Sequence, residues 1–167
     1  MTKFDFLKAH GLGNDFVILS DYARLEISNK LIEFICDRKI GIGCDLGVLL
    51  DETDNSYSDL KSKFFNKDGS EAEICGNALR CIGKNYFKKF NKTNLTVETN
   101  SGLIDIEERS DGNIGVDLGK PSLKWDKIPL KFETETSDLN FDLKYLKGGF
   151  AVNVGNPHLI FFCRGIT

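Results

Sequence analysis

The residues best suited to chemistry lie between Asn66 and Cys81, in a stretch whose centre reads Ile-Cys-Gly-Asn. Apolar residues from Gly76 to Phe90 recur at three- and four-residue spacing, which predicts a helix starting next to Cys75. Free amides at a helix start carry partial positive charge, which favours a thiolate and can also hold a carboxylate. Cys75 therefore has the setting of a base for the α-proton of an amino acid. The alternative is a small apolar cysteine buried at the helix start.

A second polar stretch, His-Gly-Leu-Gly-Asn-Asp-Phe at residues 10–16, lies between two short apolar runs. Its two glycines flank a leucine, which predicts a tight turn where the backbone can approach a ligand closely. The side chain of Asn14 offers a donor and an acceptor, which suits a zwitterionic ligand. The alternative is a plain hairpin turn in which Asn14 has only a structural role.

Composition limits the possible classes of function. The chain has 167 residues, 41% hydrophobic and 28% charged, as expected of one globular domain or of one and a part. A net charge of −3 provides no basic surface for nucleic acid or an anionic membrane. No apolar run approaches the roughly 20 residues of a membrane span, and an acid at position 5 argues against a signal peptide. Five cysteines without a Cys-x-x-Cys pair favour neither a metal site nor a disulfide framework, so a reducing cytoplasm is expected.

The remaining patterns predict strands on both sides of one long helix. Strands are expected near residues 4–8, 17–19, 44–50, 95–99, 103–106 and 114–118, less clearly at 139–146, and as a broken pair over 150–162. Ser28 is a suitable N-cap for a further helix reaching about Arg38, with Leu31, Phe34 and Ile35 on one face. The order favours an α+β unit whose sheet curls around the central helix.

Three stretches together resemble the diaminopimelate epimerases: residues 10–16, residues 66–81, and Gly-Asn-Pro-His at residues 155–158. The resemblance implies a diaminopimelate-epimerase-like fold, with a mostly antiparallel or mixed sheet curled around a central helix as one of two pseudo-symmetric halves. It implies a cofactor-independent isomerase of lysine biosynthesis that interconverts LL- and meso-diaminopimelate by two-cysteine proton transfer. The implied partners are this small-molecule substrate and a second copy of the chain, in a homodimer.

The resemblance also implies roles for individual residues. Cys75 resembles the first of the two catalytic cysteines. Gly76 and Asn77 resemble the backbone donors to the substrate carboxylate. The side chains that bind polar groups of the substrate correspond to Asn14, Asn66 and Asn156. His158 resembles a family histidine that tunes the pKa values of the thiols.

The sequence departs from the family pattern in side chains and in length. Leu46 stands where the family often has a glutamine, and Ala78-Leu79 replaces a commoner Gly-x. Nothing matches the family's second Cys-Gly-Ser/Thr-Gly motif, so only the first catalytic cysteine is expected. Residues 1–119 are expected to form the N-terminal epimerase domain, and residues 120–167 the opening part of a truncated second domain.

Two other interpretations remain. The chain could be a catalytically incompetent fragment or a ligand-binding remnant of such an enzyme. It could also be a proline or hydroxyproline epimerase, against which the His-Gly-Leu-Gly-Asn-Asp-Phe stretch argues. An in-frame continuation after Thr167 bearing Cys-Gly-Ser/Thr-Gly would favour the epimerase, whereas a stop codon would favour the remnant.

Overall fold

The computed structural model describes residues 4–20 and 27–163. The chain forms two compact units, the first ending at Asp117 and the second beginning at Leu118. The predicted assignment of residues 1–119 and 120–167 to an epimerase domain and the opening of a second domain stays a prediction.

The first unit is built on one mixed sheet. Its strands are β1 (Phe6–Gly11), β2 (Asn14–Ser20), β3 (Leu46–Asp51), β4 (Leu60–Asn66), β5 (Glu71–Ala72), β6 (Asn94–Thr99), β7 (Gly102–Glu108) and β8 (Ile114–Val116). They lie in the order β1-β2-β3-β4-β6-β7-β8, with β5 beside β4. The pairs β2–β3 and β4–β6 are parallel, and the other pairs are antiparallel.

The first helix, α1, spans Asn29–Cys36 and begins as predicted after Ser28, whose hydroxyl accepts from the Leu31 amide at 3.2 Å. It ends earlier than predicted, because the Asp37 carboxylate accepts the amides of Lys39 and Ile40 and so favours a turn. The prediction that Leu31, Phe34 and Ile35 share the buried face of α1 was wrong in part. The side chains buried from α1 are Ile32, Ile35 and Cys36, whereas Phe34 is 51% exposed.

The second helix, α2, spans Gly76–Phe90 and confirms the predicted central helix. It contacts β1 and β2 at one end of the strand order and β6, β7 and β8 at the other, so the sheet curls around it. The helix packs closely at Gly83, where an added Cβ would lie 2.6 Å from Ile106 Cγ2. Near the end of α2 Phe87 is buried, whereas Phe90, the last residue of the periodic pattern, is 51% exposed. The predicted fold class is confirmed.

Over residues 118–163 the second unit contains a 3₁₀ turn (Trp125–Lys127) and four short strands: β9 (Phe141–Asp142), β10 (Lys147–Gly148), β11 (Phe150–Asn153) and β12 (Pro157–Ile160). The expected pair of strands over residues 150–162 is confirmed, since β11 and β12 form an antiparallel hairpin. The strand expected over 139–146 was largely wrong. The chain turns back at Leu143, whose amide donates to the Leu146 carbonyl at 2.9 Å. Across the described residues, no helix is long and apolar enough to cross a membrane.

Candidate active site

Cys75 is the N-cap residue of α2 and lies directly before its first turn. Its backbone is extended, and its side chain makes no capping hydrogen bond. The Leu79 amide donates to the Cys75 carbonyl at 3.0 Å, which closes the first helical turn. In a helix that starts this way the preceding amides, including those of Gly76 and Asn77, have no partner within the helix. A half-buried thiol therefore stands beside amides able to bind an anion.

The β1–β2 hairpin brings Asn14 to the thiol. Leu12 and Gly13 both have positive φ, 55° and 88°, and form the tight turn that the two glycines predicted. Asn14 directly follows this turn, and its Oδ1 accepts a hydrogen bond from the Cys75 thiol at 3.6 Å. Gly11 allows the close approach, because an added Cβ would lie 3.3 Å from both the Cβ and the carbonyl oxygen of Asn77.

Charged residues that sequence reasoning missed hold Asn14 from the other side. Asn14 Nδ2 donates to Asp45 Oδ2 at 3.2 Å, and the Asp15 amide donates to the same oxygen at 3.1 Å. Arg38 donates to Asp15 at 2.6 and 3.0 Å and to Asp45 at 2.9 Å. These hydrogen bonds from Arg38 hold the pKa of Asp15 well below its usual range. The sequence signal for Asp45 is the stretch Gly-Ile-Gly-Cys-Asp at residues 41–45, directly before Leu46.

Asn66 ends β4, where it pairs with Leu46 of β3. Its side-chain amide donates to Ser70 Oγ at 3.0 Å, and its backbone amide donates to the Ser70 carbonyl at 2.8 Å. Asn66 therefore closes the turn that leads into β5, a role that its sequence position did not reveal. Its predicted place beside Cys75 stays a prediction.

Asn156 and His158 lie in the second unit, in and after the turn between β11 and β12. His158 Nε2 is 2.8 Å from Asn156 Oδ1, so the two predicted site residues contact each other. Their predicted proximity to Cys75 stays a prediction.

The other described thiols have different surroundings. Cys36 and Cys44 are 3% and 2% exposed, and their sulfur atoms are 3.3 Å apart. The hydrogen bond with the Cys44 thiol and burial both raise the pKa of Cys36. Burial also raises the pKa of Cys81, within α2, whereas Cys163 is exposed in the second unit. In the described part of the chain, no three His, Cys, Asp or Glu side chains form a cluster suited to a metal ion.

The fold is similar to the folds of solved racemase and epimerase structures. It superposes on a probable proline racemase from Agrobacterium radiobacter with a TM-score of 0.66 and 12% identity, covering 94% of this chain and 51% of that one. It superposes on a hydroxyproline epimerase from Agrobacterium vitis with a TM-score of 0.64 and 10% identity, covering 92% and 50%. At such identities the likeness shows the fold alone.

Sequence similarity gives the family. The family model described as diaminopimelate epimerase matches residues 6–124. The chain is 42% identical over 170 residues to the diaminopimelate epimerase of Carboxydothermus hydrogenoformans and 41% identical over 158 residues to that of Sphingopyxis alaskensis. These alignments cover 98% and 94% of this chain but 61% and 56% of the two relatives. The chain belongs to the diaminopimelate epimerase family, as the resemblance predicted, and spans less than two thirds of the length of these relatives.

Proposed function

We propose that the chain is the part of a cofactor-independent diaminopimelate epimerase that carries the first of two catalytic cysteines. Its reaction is the interconversion of LL- and meso-diaminopimelate. The observation that carries the proposal is the half-buried Cys75 thiol at the start of α2, with the Asn14 side chain against its sulfur. The proposal also draws on the family membership and on the relatives named for this activity.

In this proposal the start of α2 binds the substrate carboxylate that is attached to the reacting carbon. The amides of Gly76 and Asn77 donate to the carboxylate, and the positive end of the helix dipole favours the negative charge. The first turn of this fully described helix contains no acidic residue that would compete for that position. Removal of the α-proton places negative charge next to the carboxylate, so the same donors stabilise the carbanion as it forms.

Cys75 acts from one face of the reacting carbon. Its thiolate takes the α-proton, and a second acid delivers a proton to the opposite face to complete the inversion. Cys36 and Cys44 cannot serve as that acid, because both are buried against each other in the core.

Asn14, Asn66 and Asn156 bind the other polar groups of the substrate, and His158 tunes the acidity of the thiols. Asn14 has the strongest support, because it contacts the Cys75 sulfur. The bond to Ser70 Oγ uses one N–H of the Asn66 amide, and the second N–H and the carbonyl oxygen are the groups proposed to bind the substrate. Asn156 and His158 act as a pair, which their 2.8 Å contact supports.

A second candidate function is ligand binding without turnover. It is favoured by the burial of Cys36 and Cys44, which leaves neither able to supply the second proton, because one thiol can remove and return a proton only on its own face. A cytoplasmic location, expected from the cysteine content, and a homodimeric assembly, implied by the family resemblance, complete the proposal.

The proposal is tested by joining the chain to the second half of the Carboxydothermus hydrogenoformans relative. Conversion of the LL to the meso isomer is then measured for the fusion and for its Cys75→Ala variant. We expect the variant to lose activity by at least about 100-fold, the lower range for removal of an acid–base group. Cys81→Ala is the matched control, because it removes another thiol of the same helix, and it should retain activity. Equal turnover by Cys75→Ala and the fusion would contradict the proposal.

A further inference from the structure

Four side chains form one continuous hydrogen-bonded chain across the candidate site. A guanidinium nitrogen of Arg80 donates to Asn77 Oδ1. Asn77 Nδ2 donates to Asn14 Oδ1 at 3.4 Å, and Asn14 Nδ2 donates to Asp45 Oδ2 at 3.2 Å. Two amides are thus held between a cation and a carboxylate.

The two charged ends give the amides a fixed direction. A guanidinium can only donate hydrogen bonds, so Asn77 must turn its oxygen to Arg80 and its nitrogen to Asn14. An ionised carboxylate can only accept, so Asn14 must turn its nitrogen to Asp45 and its oxygen to Asn77. Each charged end by itself enforces the same orientation of both amides, so either end alone would fix the direction of the hydrogen-bonded chain.

Asp45 is itself held in place. Arg38 donates to Asp45 Oδ1 at 2.9 Å, and the Asp15 amide donates to Asp45 Oδ2 at 3.1 Å. These bonds fix the position of the Asp45 carboxylate, whose Oδ2 also accepts from Asn14 Nδ2.

The direction of the hydrogen-bonded chain decides which atom of the Asn14 amide faces the Cys75 thiol. The oxygen of Asn14 that accepts from Asn77 is also the atom 3.6 Å from the Cys75 sulfur. An amide oxygen accepts a hydrogen bond from a thiol, whereas an amide nitrogen would donate a hydrogen bond to a thiolate. We infer that Asp45 and Arg80 are positioning residues that hold the amide oxygen of Asn14 against Cys75 and so keep the proton on its sulfur while the site is empty.

The consequence for catalysis rests on the proposed function, but the effect on the thiol does not. A ligand that draws the oxygen of Asn14 away, or turns the amide, would remove the acceptor from the thiol and ease its ionisation. The hydrogen-bonded chain would then couple ligand binding at the site to the formation of the Cys75 thiolate.

The test uses the double variant Asp45→Asn with Arg80→Gln. Both ends then become amides that can donate or accept, so neither enforces a direction, and the net charge is unchanged because one charge of each sign is lost. We expect iodoacetamide to modify Cys75 about fivefold faster near neutral pH, the effect of one net hydrogen bond. Arg80→Lys is the matched control, since lysine only donates, and it should react at the parent rate.

Two further measurements separate this inference from simpler effects. In an Asn14→Ala background the double replacement should leave the rate unchanged, because the amide that it releases is absent. Protection of Cys36 and Cys44 from the reagent shows in the same sample that the fold is intact. If the double variant does not fold, Asp45→Ser with Arg80→Met removes both ends and provides the same comparison.

Two results would overturn the inference: a parent-like rate in the double variant, or the same acceleration in the Asn14→Ala background. The alkylation rate needs no turnover. The activity of the Cys75→Ala fusion therefore tests the proposed function, and the alkylation rate of the double variant tests this inference independently of it.

Discussion

Two helix ends in the first unit present cysteines of opposite character. Cys36 is the last residue of α1 and packs against the Cys44 thiol in the core. Cys75 precedes the first residue of α2 and meets the amide side chain of Asn14. The end of a helix carries partial negative charge and its start partial positive charge, so an anionic ligand is favoured beside Cys75 and disfavoured beside Cys36. The position of a thiol, more than its presence, decides whether it can act as a base.

Surroundings add to this difference. Apolar side chains such as Val17, Leu19 and Leu49 belong to the same buried cluster as Cys36, and burial disfavours the charged form of an acid. Around Cys75 the hydrogen-bonded chain of Arg80, Asn77, Asn14 and Asp45 supplies polar groups in a half-buried setting. A core position thus stabilises the fold, and a polar position at a helix start provides chemistry.

The largest expected effect concerns activity. If only Cys75 can reach a substrate, residues 1–167 alone should not convert LL- to meso-diaminopimelate above the level of their Cys75→Ala variant, because inversion needs a proton donor on each face. The measurement is the appearance of the meso isomer with purified chain. Clear conversion above that variant would mean that another residue or a second chain supplies the acid, and the contrast between the thiols would break down.

The next effect is the order of thiol modification. We expect iodoacetamide near neutral pH to modify Cys75 first among the five cysteines, and on the order of 100-fold faster than Cys36, whose reaction requires local opening of the core. Peptide mass spectrometry after brief competitive alkylation gives the order. Earlier modification of Cys36 or Cys81 would show that the site has been assigned to the wrong cysteine.

The third prediction compares the free energies of unfolding of serine variants at Cys36 and Cys75. Cys36→Ser places a hydroxyl in an apolar cluster and should lower the free energy of unfolding by about 2 kcal/mol, the cost of a poorly satisfied buried polar group. Cys75→Ser, at a half-buried polar position, should change it by less than about 0.5 kcal/mol. Urea denaturation measures both values, and equal losses in the two variants would argue against different roles for the two sites.

The smallest expected effect concerns the charges that hold Asn14. Arg38 keeps the pKa of Asp15 below its usual range, so this carboxylate stabilises the fold above its unfolded-state pKa of about 3.9. That contribution is lost as the pH falls through the lower folded-state pKa. Asp15→Asn should therefore cost about 1 kcal/mol at neutral pH, with a difference from the parent that shrinks below about pH 4.

The control for this prediction is Glu107→Gln. Glu107 and Arg109 form an exposed ion pair at 3.7 Å, which should contribute little at any pH. Urea denaturation at several pH values compares the two variants. A loss in Asp15→Asn that does not change with pH would show that its ionisation is not what stabilises the hairpin.

Several elements could be predicted from local sequence because local rules decide them. The spacing of apolar residues predicted α2, and a hydroxyl suited to capping predicted the start of α1 at Ser28. Two glycines around Leu12 predicted the turn between β1 and β2, because such residues permit positive φ. The place of Cys75 at a helix start followed from the same spacing. The roles of Asn66, Asn156 and His158 came only from family resemblance, since no local rule distinguishes them from other polar residues.

Long-range contacts decided the rest. Nothing in the local pattern shows that Asn14 meets Cys75, 61 residues away, or that Asp45 and Arg80 orient the amides between them. These contacts depend on the order of strands in the sheet and on the parallel pairing of β2 with β3. The same is true of Cys36 and Cys44, and of the burial of Ile32 in place of Phe34. Periodicity and capping act over a few residues, whereas the partners of a side chain are set by the packing of elements distant in sequence, so only the tertiary structure determines them.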